Sequence, residues 1–177
     1  MMKLSIGGSV DIQKIHRLVR NDEVLIGYPD GIEHHSTKHP DVHIQNSDMA
    51  RALHFGTRYI PARPFLYDAI ISVREELKLK MRKMHQKMIE RGEAGVTGEF
   101  SLEGIGAFVV GAVQRLVRSG YYKGTAPNAP STLKAKFPGD TPLIDEGFLM
   151  QSTTFITRKH PPKLMAKKIE VSGETPG

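Results

Sequence analysis

The sequence predicts an α+β fold: a small, mostly antiparallel β-sheet packed against two long α-helices, with long loops between elements. Three observations lead there. Residues 65–91 and 102–119 place apolar side chains every three or four positions, the period of a helix that buries one face. Short β-prone runs stand near both ends of the chain, at about 3–6, 24–29, 153–158 and 167–171. Between these segments, residues 30–47 and 121–142 are rich in Gly, Pro, Asn, His and Ser, and neither period holds.

Taken in order, Lys3-Leu4-Ser5-Ile6 is a first strand stopped by Gly7-Gly8, and 11–19 is a short helix with Ser9 or Asp11 as its cap. Val24 to Pro29 is a buried strand ended by Pro29, Asp30 and Gly31. Asn46 or Ser47 can cap a helix that runs to Gly56, with Asp48 near its positive end. The longest helix follows at 65–91. Its stripe is Leu66, Ile70, Val73, Leu77, Met81, Met84 and Met88, and seven Lys and Arg residues from Arg74 to Arg91 load the remaining surface. The plain reading is a core helix with a solvated basic face; the alternative is a basic face that lines a channel or meets an acidic neighbour. Ser101 with Glu103 opens the second long helix, whose interior Gly104, Gly106 and Gly111 predict close approach to the preceding helix in an antiparallel pair. One helical turn is expected at 131–136, a short helix near 148–152, then two strands joined across His160-Pro161-Pro162. Residues 172–177 read as a frayed tail.

Composition narrows the function classes. A chain of 177 residues with 39% hydrophobic and 25% charged residues is most simply a single domain with a real core. With no cysteine, thiolate metal sites and disulfides are excluded. No apolar run reaches membrane-spanning length and no signal-peptide core opens the chain, so a soluble protein made in the cytoplasm, without membrane contact, is expected. The net charge of +6 suits a polyanion or an acidic partner. Four histidines crowd 30–47 (His34, His35, His39 and His43), with Glu33 and Asp41 beside them, yet their spacing matches no zinc pattern. That segment reads as an interaction loop, and no metal or cofactor is expected.

The densest signal is His54-Phe55-Gly56-Thr57-Arg58-Tyr59-Ile60-Pro61-Ala62-Arg63-Pro64-Phe65-Leu66. Two prolines three residues apart fix φ and push Ile60 and Arg63 away from helix, giving a rigid corner between two helices. This string resembles the signature H-x-F-G-(S/T)…(I/M)-P-A-R-P-F-L of phage tail-completion and neck proteins, the group that includes lambda-type minor tail protein Z. Two further blocks follow in the same order. Ala129-Pro130-Ser131-Thr132 resembles A-P-(S/L)-T, and Pro142 to Ser152 resembles P-L-I-D-T-G-x-L-x-x-S-I. Glu146 stands where that pattern has threonine, and Thr153 where it has isoleucine.

The resemblance implies a structural virion protein at the head–tail junction, assembled in the host cytoplasm. It would complete the tail's upper end as a ring of identical subunits around the DNA passage. Its implied partners are itself, other neck and tail proteins such as the tail terminator and connector, and DNA in the channel. A tail-terminator or connector ring, or a basic nucleic-acid-binding module, are the alternatives. No hydrolase, metalloprotease, Walker or dinucleotide fingerprint is present, so no enzyme is expected. His54 reads as a buried histidine bonded to backbone, and His85 as exposed. The expected subunit or partner contacts are Tyr59, Ile60, Pro61, Arg63, Pro64, Phe65, Asp145 and Phe148, with Arg63 bonding a carboxylate or backbone carbonyls; the alternative is that Arg63 and its flanking prolines staple the corner to their own chain.

Overall fold

Two strands and seven α-helices are found among the residues that the structure, a computed structural model, describes: 22–31, 43–92, 96–136, 139–145 and 147–158. The elements fall in one compact unit, Glu23–Arg158. The strands expected at 3–6 and 167–171, the helix at 11–19, the tail at 172–177, and His34, His35 and His39 lie outside the described residues.

Strand β1 (Glu23–Gly27) pairs antiparallel with β2 (Thr154–Arg158), Ile26 opposite Phe155 and Leu25 opposite Ile156. Alternation of side chains gives the ribbon two faces. Ile26 and Phe155 turn inward, while Leu25 and Ile156 remain exposed. Tyr28, just past β1, hydrogen-bonds Thr153 Oγ1 at 2.8 Å, and Thr153 Oγ1 itself donates to Leu149 O at 3.3 Å. The threonine proton is thereby used, so the phenol donates. Burial pushes the Tyr28 hydroxyl up to about 12. This relay gives the buried hydroxyl of Thr153 two partners at a position where the resembled pattern carries isoleucine.

Helix α1 (Asn46–Phe55) begins one residue earlier than a cap at Asn46 would allow: Gln45 is the cap, and Asn46 is buried in the first turn. The long helix expected at 65–91 is two helices, α2 (Phe65–Ser72) and α3 (Arg74–Arg91). The break has a local cause. Ser72 Oγ donates to Ala69 O at 2.7 Å, and β-branched Val73 leaves helical dihedrals at φ −112°, ψ 13°. Leu77 N–H then bonds Val73 O at 2.8 Å and the helix resumes. The expected stripe does not survive the break intact: in α3 only Met84 is buried, and Met81 is exposed.

Helix α4 (Leu102–Arg118) is the spine. Ser101 caps it as expected, its Oγ accepting from Gly104 N–H at 3.1 Å. Ile105, Val109, Ala112, Val113 and Val117 form its buried face. Its glycines serve other neighbours than the preceding helix. A Cβ on Gly106 would lie 2.3 Å from the Phe155 ring of β2, and one on Gly104 would lie 2.2 Å from Gly98 O of the 3₁₀ turn Gly98–Phe100. Three short helices complete the unit: α5 (Tyr122–Thr125), α6 (Pro130–Lys136) and α7 (Phe148–Gln151). The segment 121–142 is thus partly folded into the core, with Tyr122 and Ala126 buried, and is not a free loop. Phe65, fully buried, plugs the centre between Tyr28 and His54, both edge-on to its ring.

Candidate functional site: a groove walled by three separated sequence blocks

The corner between α1 and α2 is held from several sides. Gly56 takes φ +77°, and a Cβ there would lie 2.8 Å from Ala62 N, so the chain can double back only through glycine. Thr57 Oγ1 accepts from the N–H groups of Tyr59 and Ile60 at 3.2 and 3.1 Å, and Arg63 N–H donates to Leu53 O at 3.0 Å. These bonds turn the Arg63 side chain inward. It is 4% exposed, its Nε donating to Ala126 O at 2.8 Å and its Nη2 to Pro127 O at 3.0 Å and Asn128 Oδ1 at 3.4 Å. Burial lowers its affinity for the proton, and the planar fork offsets that cost by binding neutral carbonyls.

The third block is shaped by a turn of unusual content. Thr141-Pro142-Leu143-Ile144 closes with Ile144 N–H to Thr141 O at 3.4 Å, proline at its second position and Leu143 at φ +66°. That position normally asks for glycine. Leucine holds it because its side chain is buried in the core, whose contacts oppose the backbone strain.

Corner, α6 and turn enclose a groove of about 520 Å³. Met49 and Leu53 of α1 contribute one side, and Tyr59, Ile60, Pro61 and Arg63 come from the corner. Ala129, Ser131 and Thr132 bring in the second block, with Asn128 just ahead of it, and Leu143, Asp145, Phe148 and Leu149 the third. Six of the eight expected contact residues therefore meet in one place: Tyr59, Ile60, Pro61, Arg63, Asp145 and Phe148. Pro64 and Phe65 stand outside the lining.

Burial changes what two of them can do. Arg63 and Phe65 are committed to their own chain, so neither is offered to a partner; the staple reading of Arg63 describes the geometry. What the groove rim leaves accessible is Tyr59, at 84% exposure with Arg58 stacked 5.6 Å from its ring centroid, together with exposed Pro61 and Asp145 and half-buried Phe148. Asn128 and Leu143 were not foreseen as site residues. Asn128 carries no motif of its own, while the Thr-Pro-Leu turn signal at Leu143 could have pointed to it.

Behind the corner, His54 packs edge-on to Phe55 and Phe65 at 4.7 and 5.4 Å, with Nδ1 buried and without a partner. The expected backbone bond is not made at that nitrogen. Burial pulls its pKa below 6.5, and Asp68 opposes the shift. Asp68 also accepts from Tyr122 OH at 2.6 Å; burial first, and this bond second, drive that phenol far above its ordinary range. The groove itself offers apolar walls with amide, hydroxyl and carboxylate groups at intervals, the lining of a binding surface. Among the described residues no group of histidine and acidic side chains could hold a metal ion, and no helix is long and apolar enough to cross a membrane. Comparison with protein-family models, curated proteins and solved structures returned no match.

Proposed function

We propose that this protein is a structural component of the phage head–tail junction that completes the upper end of the tail and enables its joining to the DNA-filled head. The observation that carries this reading is the convergence of three separated blocks, each resembling a block of the tail-completion proteins, on one groove. Blocks that share only sequence order have no physical reason to meet; blocks that together build a surface do. The reading is of binding and assembly, with no chemical step.

In this proposal the copies form a closed ring by heterologous contacts, one face of each subunit meeting a different face of the next. The groove rim at Tyr59, Pro61, Asp145 and Phe148 is the surface assigned to the neighbouring copy. An aromatic side chain as exposed as Tyr59, set on a corner this rigid, would lose little conformational entropy on being covered.

Electron microscopy of lysates from a phage whose copy of this gene carries a nonsense mutation tests the role. Filled heads beside separate, normal-length tails support it. Missing or overlong tails would assign the protein to tail termination or length control. Normal virions would overturn the junction reading altogether.

A further inference from the structure

The α3 helix carries a feature that tail completion does not require. From Leu77 to Ile89 it has five cations and no acidic residue. Three of them converge on one ring: the Nζ atoms of Lys80, Lys83 and Lys87 lie 5.7, 5.6 and 4.1 Å from the centroid of Phe100. Lys80 also stands 5.0 Å from the ring centre of Phe108, which Arg115 approaches at 5.9 Å. Among the described residues, the carboxylate of Glu99 bonds one of these four cations, Lys80, at 3.0 Å. A solvated basic face spreads its lysines apart. Here they are gathered, and attraction to the rings offsets their mutual repulsion only in part.

We propose that the Lys80–Lys83–Lys87 ladder, with Arg115 beside it, binds the phosphate backbone of double-stranded DNA. The spacing fits. Seven residues of helix carry the ladder along roughly 10 Å, the axial length of about three phosphates in one duplex strand. The rings beneath are covered by cations, so they form no free platform for stacking bases, which argues against single strands. They also leave no open aromatic pocket of the kind that anchors a protein partner. The lysines act as point charges, so the contact positions the duplex without reading its sequence. This inference is independent of the junction reading, since it concerns binding by the isolated protein.

The test is fluorescence anisotropy of the full chain with a mixed-sequence duplex of about two helical turns, titrated across 50–300 mM salt. Three phosphate contacts give a slope of log Kobs against log salt of about −2.7, and removing two contacts takes about 1.8 from its magnitude. The double variant Lys83→Gln/Lys87→Gln is therefore expected to bind at least tenfold more weakly at the lowest salt, with the shallower slope. Lys83→Arg/Lys87→Arg should restore both, and Lys134→Gln on α6 should change neither by more than one contact's share. Thermal melting of each variant separates loss of binding from loss of fold. Absence of duplex binding at 50 mM salt would overturn the proposal. So would an unchanged slope in the glutamine variant, or tighter binding to polyglutamate than to duplex at equal charge, which would mark the ladder as a contact for an acidic protein.

Discussion

The groove and helix α3 are built on opposite principles. Around the groove, short irregular segments are pinned by specific bonds: Arg63 to the carbonyls of Ala126 and Pro127, Thr57 to its own turn, Gly56 in a conformation few residues adopt. In α3 an 18-residue regular helix buries a single side chain, Met84, and its ordering relies on α4 and the 3₁₀ turn beside it. The groove is rigid because it is irregular and satisfied, whereas α3 is regular and largely solvated. A surface meant to hold one partner geometry is better made the first way, and a surface meant to present charge to a repeating backbone the second. Substitutions should therefore behave differently in the two regions.

The largest effect is expected at Arg63. Arg63→Ala strips partners from two carbonyls and leaves a void under the corner, so a loss of about 3 kcal/mol is expected, with a drop in Tm on the order of 10 °C. Arg63→Lys should recover only part, because one ammonium cannot follow the fork from Ala126 to Asn128. Calorimetry checks both. If Arg63→Ala melts like the parent, the staple is not what fixes the corner.

Next comes Gly106→Ala, which forces a methyl against the Phe155 ring where α4 meets the sheet; overpacking of this kind costs about 1–3 kcal/mol. The companion Gly106→Ala/Phe155→Leu should recover stability if the clash is the cause. By contrast, Ile89→Ser on exposed α3 should stay within about 0.5 kcal/mol. A large loss there would mean that this face is covered.

How far this was legible in sequence depends on the kind of signal. Periodicity correctly placed α4 and the two described strands, because it reports which side faces the core, and the Ser101 hydroxyl marked where α4 begins. It failed at Val73, where a serine hydroxyl competing for the backbone is a local event that a hydrophobic stripe cannot register. It also failed to assign the glycines of α4, since a gap in a helix says that something approaches and not what. The site was half legible. Motif resemblance marked residues that meet in the groove, yet it could not say that Arg63 points inward. That depends on Leu53 O and Ala126 O, which lie outside the corner itself.

A smaller effect is expected from pH. The folded chain holds His54 below its ordinary 6.5, so the unfolded chain takes up the proton first as pH falls. Stability attributable to this group is full above 6.5 and is lost progressively below it, until the folded form also titrates. Asp68 tempers the effect, and the flanking Phe55 and Phe65 rings offer the imidazolium no hydrogen bond. Melting curves at pH 7.5 and 5.5 should show a decrease in Tm for the parent and a smaller one for His54→Gln. Equal decreases would place the sensitivity elsewhere.

The smallest effect on stability, and the sharpest on the proposed function, belongs to Tyr59. Its ring is almost wholly exposed and its backbone N–H is held by Thr57, so truncation removes no internal packing and leaves the corner's bonds in place. Tyr59→Ala should therefore change stability by less than about 0.5 kcal/mol. If the groove rim meets the next copy in a ring, the same change removes an exposed aromatic anchor, and loss of such anchors typically costs about 2 kcal/mol or more of binding. The outcome expected in a complementation assay is a folded protein, with a parental melting curve, that fails to enter particles. Arg63→Ala should fail through a lowered melting temperature, and a suppressing stabilising substitution elsewhere should rescue it but not Tyr59→Ala. Normal incorporation of Tyr59→Ala would remove the rim as the contact and leave the groove a structural feature of the monomer.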